Sequence, residues 1–221
     1  MLMSMEEKLP RTLLVHGYVN LKGQKISKSL GNTIDPVILA KKYGADVVRY
    51  SLLRGSVFED FDFSEDSLKE RNNELADKLG NLVSRLEGLA EKSGEIKKVS
   101  PDVELTKKLK LQEIESRMQN YELDKALSII IEFVDECNKY VQEEKVWELS
   151  GEKRNKALYT IADSLRISAL LLHPFIPESS GKILKRLDEK KVSSSRIKFG
   201  LLESLRLKKQ EVLYTKLRWR R

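Results

Sequence analysis

Apolar residues recur at helical spacing along most of this chain. In the region after Ser64, leucines repeat at three- and four-residue steps, which places them on one face of a helix. Ser64 is a favourable helix cap, and Glu65 and Asp66 follow it in the first turn. The pattern therefore predicts a long helix that packs one face into a bundle. Its core leucines are Leu68, Leu75, Leu79, Leu82, Leu86 and Leu89.

Helical periodicity and helix-end signals predict further helices on both sides of the long one. Asp35 followed by Pro36 is typical of a helix start, and Gly44 and Gly55 are typical of helix ends. A charged, serine-rich stretch from 187 to 198 predicts a loop. The predicted helices are 36–44, 46–54, about 104–119 with an imperfect period, 123–145, 152–172 and a last one ending near 188.

Two segments near the start of the chain have extended character. Residues 11–21 are rich in β-branched and apolar types, so we expect a short buried strand that ends near His16. Residues 59–63 alternate acidic residues with phenylalanine. We interpret this stretch as an extended connector whose rings anchor it and whose acids face water. A metal site is disfavoured because no calcium-type loop pattern is present.

Composition narrows the class of protein. Of the 221 residues, 40% are hydrophobic and 34% are charged, which indicates a globular, helix-rich chain. The net charge of +7 favours a polyanionic partner, although both signs are abundant. The single cysteine, Cys137, excludes an internal disulfide and lies inside an apolar stripe, so we expect a buried side chain. No apolar run reaches the ~20 residues of a membrane span, and we expect a cytoplasmic protein.

The segment from Gly23 to Pro36 carries the first candidate chemistry. Lys25 and Lys28 alternate with Ser27 and Ser29, between two glycines. Ammonium groups, hydroxyls and backbone amides freed by glycine are suited to phosphate oxygens. A solvated Lys/Ser turn is the alternative interpretation, and the residues alone leave both open.

A second candidate lies on the long helix. Lys78, Asn81, Arg85 and Lys92 fall along one edge of the leucine stripe. Asparagine and arginine can hydrogen-bond a nucleobase edge and lysines can meet phosphates, but a solvated helix flank is the alternative. Trp147, just past the predicted 123–145 helix, is either a core residue or a platform for base stacking.

The loop sequence resembles a known signature. Gly-Gln-Lys-Ile-Ser-Lys-Ser-Leu-Gly-Asn-Thr-Ile-Asp-Pro is similar to the KMSKS loop of class I aminoacyl-tRNA synthetases, with Ile26 in place of methionine. Together with His16-Gly17-Tyr18 it looks most like the methionine enzyme. Residues 80–85 are similar to the family's anticodon-contacting Asn-Leu-x-Ser-Arg segment. Asn138, Tyr140 and Trp147 match a second motif, in which Val146 replaces a proline.

The resemblance implies a mainly α fold, in which a short strand and loop stem-contact region precedes an α-helical bundle that binds the anticodon. We expect the KMSKS and stem-contact region over 1–62, the bundle over 63–190 and a tail over 191–221 that packs back on the body. The resemblance also implies site residues. They are Lys25 and Lys28 for catalysis; His16, Gly17, Lys25, Ser27, Lys28 and Ser29 for ATP; and Asn81, Arg85 and Trp147 for the anticodon, with no metal ligand.

The implied function is that of a C-terminal half or subunit of methionyl-tRNA synthetase. Such a part would recognise the anticodon of methionine tRNA and assist methionine activation with ATP, supplied as its magnesium complex, in the complete enzyme. The chain lacks a His-x-Gly-His signature, so we expect it to bind no cofactor alone, to be inactive alone and to need a nucleotide-binding N-terminal half as partner. A stand-alone RNA-binding module, or the same part of a leucine, isoleucine or cysteine synthetase, is the alternative.

Overall fold

The protein is a helical bundle preceded by a small region of strands and short helices, in agreement with the predicted mainly α fold. A computed structural model describes residues 8–21, 23–27, 29 and 31–218. Its helices are α1 (Pro36–Tyr43), α2 (Ala45–Leu53), α3 (Glu65–Leu75), α4 (Asn81–Glu91), α5 (Val103–Thr106), α6 (Leu111–Gln119), α7 (Leu123–Glu143), α8 (Gly151–Leu172) and α9 (Pro177–Arg186). Its strands are β1 (Val19–Leu21), β2 (Gln24–Lys25), β3 (Phe61–Phe63), β4 (Glu95–Ile96) and β5 (Leu205–Arg206).

The first sheet has the strand order β2-β1-β3 and lies beside the loop. Strand β1 pairs antiparallel with β2 and parallel with β3, where Val19 faces Phe61. The expected buried strand ending near His16 is wrong: Leu13 is 84% exposed and Val15 is 74% exposed. Regular pairing starts only at Val19 because β3 begins opposite that residue, and the described residues offer no ladder partner for the preceding apolar stretch.

The two short helices α1 and α2 confirm their predictions. The Asp35 carboxylate accepts a hydrogen bond from the Val37 amide at 2.7 Å, and Pro36 occupies the first turn. Gly44, at φ 89°, joins α1 to α2. A residue with a β-carbon would be strained at that dihedral angle, so glycine is required for this sharp junction.

The predicted long helix runs from Glu65 to Glu91, but it contains a π-helical turn over residues 76–80 that separates α3 from α4. Ser64 caps it by accepting from the Ser67 amide at 3.1 Å. Five of the six predicted core leucines are at most 1% exposed, and Leu89 packs against the core from a partly buried position. The amphipathic stripe is therefore confirmed.

The single helix expected over 104–119 is wrong, because α5 and α6 are separate helices on either side of residues 107–110. Leu105 and Ile114 are both buried. Nine positions correspond to two and a half helical turns, so one straight helix would place these two side chains on opposite sides. The break at Lys110, with ψ 59°, lets both helices face the core.

The centre of the bundle is α8, which is buried on every side from Ala157 to Leu172. Helices α7 and α9 pack against it, and α4 crosses it. The tail lies along this body: β5 pairs with β4, and the Tyr214 hydroxyl donates to Ser179 Oγ at 2.6 Å. Asn73 fixes the end of the tail through both the amide and the carbonyl of Leu217.

Candidate functional site

Asn138 on α7 organises the polar edge of the long helix. Its side-chain nitrogen donates to the Lys78 carbonyl at 3.0 Å, and its side-chain oxygen accepts from Asn81 Nδ2 at 3.0 Å. Arg85 Nη1 donates to the Asn138 carbonyl at 3.4 Å. Asn81 remains exposed and Arg85 half-buried. The contacts orient the two side chains while leaving further donors of both available at the surface.

Lys78 belongs to the same edge but is neutralised. Its ammonium lies 2.6 Å from a carboxylate oxygen of Asp135 and 3.8 Å from one of Glu74. Its charge is consequently committed to the protein, whereas Asn81 and Arg85 face outward. Of the three predicted edge residues that contact α7, two are therefore suited to an external ligand.

Trp147 is presented by a tight turn that ends α7. Lys145 adopts the left-handed conformation, with φ 45°, and the buried Val146 donates its amide to the Val141 carbonyl at 3.3 Å. The Trp147 side chain is 45% exposed. A valine at position 146 keeps a hydrogen bond that proline could not make, so the turn is closed by its own backbone.

The order of contacts shows that α4 and α7 run in the same direction. Lys78 meets Asp135, and further along both helices Asn81 meets Asn138. Both helices thus end at the same side of the bundle. Arg154 joins the last turn of α4 to the segment after α7 by donating to the Leu89 carbonyl at 3.1 Å and the Leu149 carbonyl at 3.3 Å. Trp147 accordingly lies at the end of the helix pair toward which Asn81 and Arg85 lead.

Asn32 holds the candidate phosphate loop in a closed turn. Its side-chain oxygen accepts from the Ser27 amide at 2.8 Å, and its side-chain nitrogen donates to the Lys25 carbonyl at 3.1 Å. The hydroxyls of Ser27 and Ser29 are 2.7 Å apart. The structure thereby brings Lys25, Ser27 and Ser29 together, while Lys28 lies outside the described residues.

Lys25 is exposed at the sheet end of this loop. Its ammonium lies 4.2 Å from the centre of the Tyr18 ring, a distance suited to a cation–π contact. At an exposed position such a contact contributes only ~0.5–1 kcal/mol. The ammonium can therefore leave the ring for a phosphate at small cost.

The acidic connector anchors the base of the loop. Asp60 Oδ1 accepts from the Tyr18 amide at 2.8 Å, and Asp62 Oδ1 accepts from the Gly23 amide at 2.9 Å. Both carboxylates remain exposed, as predicted, but they also position backbone, which the alternation of acids and phenylalanines did not indicate. Phe63 is buried and provides the predicted anchor.

His16 and Gly17 lie just before β1. His16 is exposed, and its Nδ1 lies 2.7 Å from the Gly17 carbonyl oxygen. Gly17 donates its amide to the Val57 carbonyl at 2.9 Å. A β-carbon at position 17 would stand 2.1 Å from the Glu59 carbonyl oxygen. Glycine is therefore required here by the close approach of two backbone segments.

The described part of the chain offers no metal cluster, no accessible thiol and no membrane-spanning helix. It contains no group of three or more histidine, cysteine or acidic side chains that could hold a metal ion. Cys137 is fully buried, and burial raises the pKa of its thiol to about 12. No described helix is long and apolar enough to cross a membrane.

Sequence reasoning did not place three positioning residues in the site. Asn138 was visible only as a motif match beside Tyr140, and its contact with Asn81 crosses 57 positions of sequence. Asn32 closes the loop over five and seven positions, within the signature itself. Asp62 carried a weak signal because acidic residues are common on surfaces.

Comparisons with known proteins identify the relatives of this chain. Residues 1–87 match the family model "tRNA synthetases class I (M)", and residues 103–213 match the model "Anticodon-binding domain of tRNA ligase". The methionine–tRNA ligase of Rickettsia felis is 39% identical over 84% of this chain and 40% of its own length. That of Bacillus subtilis is 34% identical over 98% of this chain and 36% of its own length.

Solved structures give the same relationship. The Mycobacterium tuberculosis methionyl-tRNA synthetase bound by methionyl-adenylate is 30% identical, with a TM-score of 0.84, and the match covers 97% of this chain and 46% of that one. The apo form of that enzyme gives a TM-score of 0.82 at 27% identity, over 99% of this chain and 46% of that one. The chain spans less than half the length of the proteins it matches. The two family models and these relatives show that the chain belongs to the methionyl-tRNA synthetase family.

Proposed function

We propose that this chain recognises the anticodon of methionine tRNA and supplies the signature loop for methionine activation. The observation that carries the first part is the contact set of Asn138, which orients Asn81 and Arg85 beside the end of the helix pair that presents Trp147. An amide and a guanidinium can hydrogen-bond base edges, and an exposed indole can stack on a base. The arrangement fits single-stranded RNA with splayed bases.

The loop would act on ATP. Lys25 and Lys28, with the hydroxyls of Ser27 and Ser29, would meet the triphosphate, with His16 and Gly17 next to the nucleotide. As a methionine carboxylate oxygen attacks the α-phosphorus, the bond to pyrophosphate breaks and negative charge grows on the leaving group. Positioned ammonium groups stabilise that charge, and each such donor contributes roughly 10²–10³ in rate. ATP would enter as its magnesium complex.

A nucleotide-binding half is the proposed partner for this chemistry. The apolar side chains of Leu13, Leu14 and Val15 shortly precede strand β1 of the sheet that carries the loop, and they are 84%, 43% and 74% exposed. We propose that residues 1–62 work with that half, that residues 63–190 bind the anticodon, and that residues 191–221 form a tail that packs back on the body. The proposed setting is the cytoplasm, where tRNA is charged.

The experiment separates the two parts of the proposal. The purified chain should bind methionine tRNA but should not catalyse methionine-dependent ATP–pyrophosphate exchange. Adding a nucleotide-binding half should restore exchange, and Lys25→Ala should then abolish most of it while leaving tRNA binding unchanged. Exchange by the chain alone would refute the proposed division of labour.

The stand-alone RNA-binding module and the leucine, isoleucine and cysteine synthetases are less favoured, because the relatives reported above are methionine enzymes. Charging by the reconstituted pair, measured with each of the four amino acids, tests specificity. Charging with methionine alone is the expected result.

A further inference from the structure

A wide basic groove lies at the common end of α4 and α7. Its volume is about 990 Å³, and it is bounded by the end of α4, strand β4 and the first turns of α8. Five basic residues line it against two acidic ones, Glu95 and Glu152. The basic residues are Lys92, Lys97, Lys98, Arg154 and Lys156.

Two of these cations are committed to the protein. Lys98 pairs with Glu203 at 2.9 Å. Arg154 donates to Ser93 Oγ at 2.5 Å as well as to the two carbonyls that it joins. These contacts give the groove a fixed wall: Glu203 offsets the charge of Lys98, and the neutral acceptors of Arg154 occupy its donors while leaving its positive charge in place.

The other three cations are unpaired. Lys92, Lys97 and Lys156 are exposed, and their ammonium groups have no ion pair or hydrogen bond among the described residues. The backbone of Lys97, directly after β4, is held on both its amide and its carbonyl by Asn155, so its side chain projects from a fixed backbone position. Three free ammonium groups on a fixed frame make a site for a polyanion.

The groove continues the proposed anticodon surface. Lys92, the residue that caps the end of α4, follows Arg85 by about two helical turns and continues the same edge, and Leu149 in the groove wall follows Trp147 by two residues. Helix α8 starts in the groove, and no side chain caps its first amides. These amides add donors that favour anions at the same place.

We infer that this groove binds the sugar-phosphate backbone of the RNA strand next to the anticodon, an inference that rests on the proposed function. Lys92, Lys97 and Lys156 contact phosphates there and hold the loop so that its bases reach Asn81, Arg85 and Trp147. Phosphate contacts carry no sequence information, so the groove contributes affinity and register rather than base choice.

The test compares binding of an anticodon stem-loop from methionine tRNA at several salt concentrations. The triple variant Lys92→Ser, Lys97→Ser and Lys156→Ser should bind roughly 10- to 100-fold more weakly at low salt. The slope of log affinity against log salt should fall by about 0.7 for each lost contact with single-stranded RNA. Discrimination against a stem-loop with a changed anticodon should persist.

Two further variants make the result decisive. Replacing the same three lysines with arginine keeps the charge and should preserve most of the affinity. Replacing Lys185, Lys208 and Lys209 with serine removes equal charge near Arg186, which pairs with Glu87 on another face of α4, and should change binding little. Equal losses in both serine variants would indicate only a net-charge effect and would overturn the inference.

The outcome separates this inference from the proposed function. If the wild-type chain distinguishes the two anticodons but the groove variant keeps full affinity and salt slope, the groove does not bind RNA backbone and the anticodon assignment survives. If the wild-type chain does not distinguish the anticodons, the proposed function fails first. An unchanged circular dichroism spectrum and unfolding midpoint confirm that each variant is folded.

Discussion

Asn81 and Asn138 are joined across the interface of α4 and α7 by a hydrogen bond of 3.0 Å. The same Asn138 side chain donates to the Lys78 carbonyl, in the π-helical turn that precedes α4. The lateral position of Asn81 therefore depends on α7 as well as on its own helix. Asn138, which has no proposed contact with RNA, thus positions Asn81, which has one.

Asn138→Ala should weaken RNA binding more than it weakens the fold. Loss of these partly exposed hydrogen bonds should cost about 1–2 kcal/mol in the free energy of unfolding, measured in urea. Binding of the methionine anticodon stem-loop should fall at least severalfold because Asn81 loses its support. Asn120→Ala, at the exposed end of α6, is the control. Undiminished RNA binding by Asn138→Ala would refute the positioning role.

Asn32 should control the order of the signature loop. Asn32→Ala removes the acceptor of the Ser27 amide and the donor to the Lys25 carbonyl, so deuterium exchange at Ser27 should become faster. Asn32→Asp keeps the acceptor but loses the donor, and its exchange rate should be intermediate. If both variants protect Ser27 as well as the wild type does, the turn is closed by other contacts.

Asp46 should hold the start of α9. Ile176 provides no side-chain cap, and the Asp46 carboxylate on α2 accepts from the Ser179 amide at 2.6 Å and the Glu178 amide at 3.3 Å. Asp46→Ala should lower the free energy of unfolding by about 1–3 kcal/mol, and Asp46→Asn by less.

The matched control for that measurement is Asp66→Ala, which removes a 65%-exposed carboxylate that pairs with Lys69 in the first turn of α3. Its effect should stay within about 0.5 kcal/mol. Equal effects at positions 46 and 66 would show that the buried carboxylate does not cap α9.

Cys137 should be inert while the chain is folded. Burial raises the pKa of its thiol to about 12, whereas a thiol in the unfolded chain titrates near ~8.5. The native chain should react very slowly with Ellman's reagent at pH 8 and rapidly in urea. Because only the unfolded state loses this proton above ~8.5, the thiol's contribution to stability should fall as pH rises from there toward 12. Fast reaction of the native chain would contradict its burial.

Some helices of this fold could be predicted from the sequence, and others could not. The periodic leucines of α3 and α4 and the apolar stripe of α7 were predictable because each helix buries one continuous face. The division into α5 and α6 was not, because periodicity records which residues are apolar but not whether Leu105 and Ile114 face the same core. The wrong prediction around Leu13 has the same cause, because apolar character did not reveal that this stretch pairs with no strand in the described part of the chain.

In the candidate site, too, local features could be predicted from the sequence and long-range contacts could not. Lys25, Ser27 and Ser29 are close in sequence, and the loop that joins them was recognisable from a local pattern. The role of Asn138 arises from packing between helices, and that of Asp62 from a sheet contact across 39 positions. Local motifs therefore indicated which side chains we propose for ligand contacts, and tertiary contacts determined which residues hold those side chains in place.

The most direct test of the account measures the affinity of the wild-type chain and of Trp147→Ala for methionine tRNA and for the same tRNA with a changed anticodon. The wild type should bind the methionine tRNA at least tenfold more tightly. Trp147→Ala should lose about 1–3 kcal/mol of that binding, the typical value of one base stack, and Trp147→Phe should lose less. Equal affinity of the wild type for both tRNAs, or of Trp147→Ala and the wild type for methionine tRNA, would contradict the proposed anticodon recognition.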